Sequence, residues 1–445
     1  MTTPETLHRW DFDHVWHPFT QAMEWEDGGE PLIIEAAMGC TLMDVHGNQY
    51  LDGISSLWTN VHGHNHPTIN RAIESQLQRV AHSTLLGQAG RPSIELARRL
   101  AVLLTRINGS EPDLTRTFYS DSGSTAVEVA LKMAFQFHQQ TGAPNRTRFA
   151  ALTEAYHGDT MGSVSVGGID LFHTMYKPML FDSVRIPAPD RADPDEEHDC
   201  IERARALFDA DGDEIAALVV EPLVQGAAGM RMHSPHYLQT IIGMARAAGA
   251  LVICDEVAVG FGRTGTMFAM EQVGCRPDIM CLAKGISGGY LPLAATVVSE
   301  RIYDAFRGPY GEYKTLFHGH TYTGNALACA SALGSLDVFE EEHTLDSLPP
   351  KVAALGAALA ALPQAHIREI RHRGLMGAAV LQHDLGPDAR IGHRVAMTAR
   401  NYGVIVRPLG DAIIFMPPLS MTEMEIEALG RAVGCAITDE LGPTT

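Results

Sequence analysis

Between about residues 60 and 330, short apolar runs alternate with amphipathic helical patterns, and this alternation limits the fold more than any other feature of the chain. The runs include Thr117–Tyr119, Ala216–Val220, Leu251–Cys254 and Ile279–Leu282. Between them, Thr125–Phe137 places Val127, Ala130, Leu131, Ala134 and Phe135 on one helical face, and Tyr237–Ala248 gives a second such pattern. Strands separated by crossover helices predict an α/β fold, a mainly parallel sheet flanked by helices. Residues 61–330 are read as that large domain. Residues 1–60 and 331–445 are then expected to form a smaller α+β lobe from both termini. Residues 188–200, APDRADPDEEHDC, are polar, acidic and proline-containing, and read as a surface loop within the large domain.

With 445 residues, 45% of them apolar, the chain can bury a large core and a second lobe. No stretch reaches the ~20 uninterrupted apolar residues that cross a bilayer. The first residues, MTTPETLHRWDFDHVW, lack a basic start followed by an apolar core, so the expected compartment is the cytoplasm. Seven scattered cysteines form no C-x-x-C pair, which argues against a disulfide framework or a zinc knuckle. A formal net charge of −20 repels nucleic acid and anionic membranes. A substrate carboxylate would need a local arginine against that field.

Three segments carry chemistry. In FYSDSGSTAVEVALK a strand runs through Ser120-Asp121-Ser122-Gly123-Ser124 into a helix. Free N–H groups and hydroxyls at a helix start make an anion cradle, although alone the segment reads as an ordinary strand-to-helix turn with a serine cap. In LVICDEVAVGFGRTG, Asp255 and Glu256 follow an apolar strand at its carboxyl end, where open α/β sheets put ligand groups. Gly260–Gly265 also matches G-x-G-x-x-G, but without the long helix and later acid of a dinucleotide site. In DIMCLAKGISGGYLPL, Lys284 stands past a strand beside Gly285, Gly288 and Gly289. Apolar surroundings lower a lysine pKa toward the neutral amine that a carbonyl requires, though a lone lysine is more often a surface or ion-pair residue.

Together, a phosphate cradle, a strand-end aspartate and a glycine-flanked lysine stand in the order that a pyridoxal-phosphate (PLP) site needs. The aspartate would keep the pyridine nitrogen protonated, and the lysine would anchor the aldehyde and shuttle the proton. The chain resembles the class III, fold type I, PLP-dependent aminotransferases along most of its length. Within that class it is similar to the 7,8-diaminononanoate aminotransferases of biotin synthesis. The segments that carry the resemblance are WHPFTQ, DGISSLWTNVHGHNHP, FYSDSGSTAVEVALKMA, AYHGDTMGSVSV, VEPLVQGAAGM, DEVAVGFGRTG, LAKGISGG, FHGHTYTGN and VRPLGD.

The resemblance implies that Gly123 and Ser124 bind the cofactor phosphate, that Tyr156 lies against the ring and lines the substrate site, that Asp255 pairs with the pyridine nitrogen, and that Lys284 is the catalytic lysine. It also implies a homodimer in which Gly319, His320 and Thr321 reach the neighbouring site, His320 and Thr321 touching phosphate. Phe19, Trp58 and Tyr156 would line an apolar trough closed by Arg407, which would hold the far carboxylate of the keto substrate. Each residue has a plainer reading: Tyr156 and Trp58 as core aromatics, Arg407 as a partner of Asp411. His62, His64 and His66 alternate as strand metal ligands do, but glycine and proline around them favour a loop, and no metal is expected.

The implied reaction moves an amino group to 8-amino-7-oxononanoate, with ping-pong kinetics. S-adenosylmethionine is the donor implied by most of the family, and L-lysine by a smaller subgroup. Phe19 stands where a Tyr is the common pattern, and Leu57 where an aromatic precedes Trp58. Those two residues, with LWTNVHGH and AHSTLLG, lead us to expect that lysine supports turnover. Two other classes remain open: another class III enzyme acting on ω-amino acids or diamines, and a non-catalytic PLP-binding protein.

Overall fold

Seven strands form the central sheet of the computed structural model, which describes residues 2–27, 31–108, 113–190 and 193–443. Numbered here in chain order, they are β1 (Leu114–Ser120), β2 (Arg148–Leu152), β3 (Ser183–Ile186), β4 (Ile215–Val220), β5 (Leu251–Asp255), β6 (Ile279–Leu282) and β7 (Ala294–Ser299). Their spatial order is β1-β7-β6-β5-β4-β2-β3. Strands β2 to β6 pair in parallel, while β7 runs antiparallel to both β6 and β1. Every residue of β4, β5, β6 and β7 is buried, as expected of strands covered by helices on both faces.

The four expected runs are β1, β4, β5 and β6: Ile279–Leu282 matches its strand end to end, and the other three are lengthened by one to three residues at one or both ends. The expected helices are also present, as Gly123–Gln140 and Pro235–Ala247. One expectation is corrected. Residues 188–200 are not all loop: a helix spans Pro194–Asp211, capped by the Asp193 side chain, with proline at its start and Asp195, Glu196 and Glu197 in its first turn. Acidic residues there complement the helix dipole, so a loop-like composition marks a helix start.

The N-terminal strands Ile34–Met38, Thr41–Asp44 and Gln49–Asp52 form a sheet completed by Val404–Ile405, which pairs in parallel with the last of them. A separate antiparallel sheet contains Ile367–Arg373, Met376–Leu381, Ala412–Phe415 and Arg407–Leu409, with the Leu348–Ala360 helix packed on it and on the Glu423–Leu441 helix. The Ala326–Glu341 helix runs through position 330 and packs on the Pro67–Leu77 and Arg91–Leu104 helices. Position 330, the expected domain boundary, falls inside that helix. No helix of the described residues is long and apolar enough to cross a membrane.

Candidate active site

A cavity of about 690 Å³ opens at the carboxyl ends of the parallel strands. Trp58, Gly123, Ser124, Tyr156, Asp255 and Lys284 all line it. Phe19, Gly319, His320, Thr321 and Arg407 lie outside its lining.

The cradle follows β1. Ser122 caps the Gly123–Gln140 helix, its hydroxyl accepting the Thr125 N–H at 3.3 Å while Thr125 Oγ1 accepts the Ser122 N–H at 3.0 Å. This box uses the third N–H of the first turn, and the first two have no partner within a helix. A Cβ on Gly123 would lie 2.5 Å from Val257 Cγ1, so only glycine keeps this approach open. The Ser124 hydroxyl accepts the Thr160 N–H at 3.0 Å, which ties the cradle to the loop after Tyr156.

Asp255 ends β5 and is buried. Its Oδ1 accepts the Val257 N–H at 3.0 Å, and its Oδ2 lies 2.8 Å from Nδ1 of the buried His157. Each carboxylate oxygen keeps lone pairs for a further donor. Glu221, directly after β4, accepts the N–H groups of Tyr156 and Gly226, both at 3.1 Å. Burial pushes its carboxyl up to about 7, the field of His157 opposing and that of Asp255 reinforcing.

Lys284 follows β6 with a left-handed φ of 47°. Its partly buried amine has no hydrogen-bond partner among the described residues and lies 5.0 Å from the centroid of the Trp58 ring. Burial holds the ammonium below the usual lysine range, while Asp255 and Glu221 oppose that shift. An unpaired, easily neutralised amine facing an open cavity is set up for attack on a carbonyl. Trp58 closes a run of four left-handed residues that begins at Ser55, at roughly 1–2 kcal/mol of strain each.

Tyr156 donates its hydroxyl to Asp159 Oδ2 at 2.8 Å, and burial pushes that hydroxyl's pKa upward. Phe172 packs edge-on against Tyr156, with centroids 6.2 Å apart, and against the exposed Phe19, at 5.4 Å. Leu57 is exposed and does not line the cavity. Arg407 is half-buried on its strand. Burial lowers its pKa, the Tyr156 hydroxyl opposes, and no carboxylate pairs with it among the described residues. The pairing with Asp411 is corrected, because that carboxylate lies 3.3 Å from His383 instead. His320 Nδ1 lies 3.1 Å from Asp121 Oδ2 of the same chain, and the Thr321 carbonyl 2.9 Å from His82 Nε2; Gly319 is exposed. His62, His64 and His66 each have a separate partner, Ser335, Asp52 and Glu342.

Sequence reasoning passed over Glu221 and His157. Glu221 follows its apolar run as Asp255 does, so the strand-end rule would have found it. His157 stands beside Tyr156 but carried no separate signal.

A family model, Aminotransferase class-III, matches residues 24–436. The chain belongs to the class III aminotransferases. Among class III relatives, the adenosylmethionine-8-amino-7-oxononanoate aminotransferase of Nitratidesulfovibrio vulgaris is 55% identical, over 97% of this chain and 81% of its own length. The crystal structure of the enzyme of that name from Methanocaldococcus jannaschii is 39% identical with a TM-score of 0.91, covering 98% of this chain and 99% of that one. An amine transaminase from an uncultivated Pseudomonas species, in PLP-bound form, is 34% identical with a TM-score of 0.88, covering 96% of this chain and 99% of its own. Class III membership makes this chain an aminotransferase, and its neighbours indicate PLP dependence. The residues fit that group: a cradle that a Cβ on Gly123 would fill, a carboxylate with free lone pairs and an unpartnered amine.

Proposed function

We propose that the chain transfers an amino group from S-adenosylmethionine to 8-amino-7-oxononanoate, giving 7,8-diaminononanoate in biotin synthesis. The names carried by its relatives support this substrate. The single structural observation that carries it is Arg407, a half-buried guanidinium without a carboxylate partner among the described residues, beside Tyr156. A long aliphatic keto acid places its carboxylate far from the reacting carbon, and a guanidinium outside the cavity lining, within the field of the Tyr156 hydroxyl, suits that span.

When bound, PLP supplies an aldehyde for an amine and a ring that accepts the electron pair released at the substrate carbon. Gly123 and Ser124 would hold its phosphate, and Asp255, fixed by His157, would accept a hydrogen bond from its ring nitrogen. Lys284 would carry it and afterwards take and return the proton at the substrate carbon. Tyr156 and Trp58 would flank the ring and exclude water. We further propose a homodimer. Leu86 (88% exposed), Leu171 (87%) and Tyr310 (87%) are large side chains that a second copy would cover, and Gly319, His320 and Thr321 would then face the neighbouring cradle.

The test mixes loaded enzyme and 8-amino-7-oxononanoate with S-adenosylmethionine or L-lysine and measures diaminononanoate. Product with S-adenosylmethionine supports the proposal. Product with lysine alone moves the donor to lysine, and product with neither donor removes the substrate assignment.

A further inference from the structure

Ser55 (φ 50°), Ser56 (48°), Leu57 (76°) and Trp58 (69°) form one left-handed turn that contains no glycine. L-residues visit this region singly, and a run persists only where its surroundings over-determine it. Asp52 supplies that constraint. It is fully buried at the end of its strand, where its Oδ1 accepts the Ser56 N–H at 2.8 Å and its Oδ2 accepts the Ser56 hydroxyl at 2.7 Å. Oδ2 also lies 3.0 Å from His64 Nε2, which fixes the carboxylate. On the far side, the Ser55 hydroxyl donates to the Met416 carbonyl at 2.7 Å. The turn sets the direction of the Trp58 Cα–Cβ bond. Its ring thereby packs over Gly226, where a Cβ would lie 3.1 Å from Cζ3, and under the Lys284 amine. Return of Trp58 to negative φ would redirect that bond and carry the indole away from the amine.

We propose that Asp52 is a positioning residue for amino transfer: by holding the left-handed turn Ser55–Trp58, it keeps the Trp58 indole against the Lys284 amine. This rests on reading Lys284 as the cofactor-bearing lysine. Asp52 touches neither the cavity nor the amine, so its effect passes through backbone conformation, and a backbone change can restore it. Glycine adopts positive φ without a Cβ penalty, whereas a β-branched residue resists it.

The test uses the full-length, PLP-loaded enzyme with two readouts: kcat and KM for amino transfer, and quenching of Trp58 emission by the bound cofactor, with Trp58→Phe as background. Asp52→Asn should lose roughly 10- to 100-fold in kcat, with a smaller change in KM, and should lose the Trp58-dependent quenching. Adding Leu57→Gly to Asp52→Asn should restore most of both. If Asp52→Asn does not fold, Leu57→Val and Leu57→Gly decide with Asp52 intact: valine should reproduce the loss and glycine should not. A double variant as impaired as Asp52→Asn, or a Leu57→Val variant with native kcat and quenching, overturns the proposal. Lys284→Ala is measured in parallel: if it keeps its activity, the reading of the lysine fails, whereas if it is inactive and the Asp52 variants are normal, only the positioning role fails.

Discussion

His157 Nδ1 and Asp255 Oδ2 lie 2.8 Å apart, both side chains buried, at the floor of the cavity. The imidazole has no hydrogen-bond partner at Nε2 among the described residues, so its one polar tie is to this carboxylate. The contact fixes the rotation of the Asp255 carboxylate, so the lone pairs left over point in a set direction. Under the proposed function, an acceptor held in place in this way would meet a ring nitrogen without having to search for it.

Lys284→Ala should abolish the visible absorbance of the loaded protein and essentially all amino transfer, while the far-ultraviolet dichroism of the fold is kept. Lys284 is the amine that faces the cavity unpaired, beside Trp58. Near-normal turnover in this variant would return Lys284 to a packing role.

Arg407→Ala should lower kcat/KM for the keto acid roughly 10- to 100-fold, the equivalent of ~1.5–3 kcal/mol for a charge-assisted hydrogen bond. The half-reaction with a donor that does not reach Arg407 should change less. An unchanged KM for 8-amino-7-oxononanoate would sink the assignment.

Gly158→Ala should weaken retention of the cofactor. Gly158 holds φ +113°, and an added Cβ would lie 2.4 Å from Cβ of Ser124, so the alanine strains its own backbone and pushes on the cradle together. The backbone part alone is worth roughly 1–3 kcal/mol. Equilibrium dialysis of PLP reads the outcome, and a variant that binds as tightly as the native chain would contradict it.

His233 gives a pH dependence of known sign. Burial, reinforced by Arg231 and Arg373, pushes this imidazole down to about 3, and neither ring nitrogen has a partner among the described residues. The folded chain therefore keeps it neutral while the unfolded chain protonates it near 6.5. Its contribution to stability is complete above pH ~6.5 and is lost as the pH falls toward about 3. At pH ~5 the loss is ~2 kcal/mol. His233→Phe should remove about that much of the acid sensitivity between pH 7 and 5, as read by denaturant melts. Parallel pH profiles for the two chains would refute it.

The strand-end groups were legible because period and position coincide. An apolar run that stops at Asp255, or just before Lys284, announces a buried strand and what its end presents. The acidic stretch before Cys200 was harder, since Asp and Pro serve helix starts and loops alike. The Ser55–Trp58 turn could not be read at all. Positive φ is normally announced by glycine or asparagine, and here it is imposed by the buried carboxylate of Asp52 and a carbonyl at Met416, far along the chain. Likewise the missing partner of Arg407 was invisible, because only the fold shows that the Asp411 carboxylate lies against His383.

The reversed strand β7 bears on how such a site diversifies. Leu282 of β6 stands opposite Ala295, which in turn stands opposite Tyr119 of β1. The lysine and the cradle thus hang from positions two ladder steps apart, a span of about 10 Å measured entirely in peptide backbone. Side chains outside the cavity lining, such as Phe19, Leu57 or Phe172, do not enter that measurement. Mutation can remodel such side chains without changing this backbone distance, so under the proposed function substrate contacts can vary while the spacing of lysine and cradle stays constant.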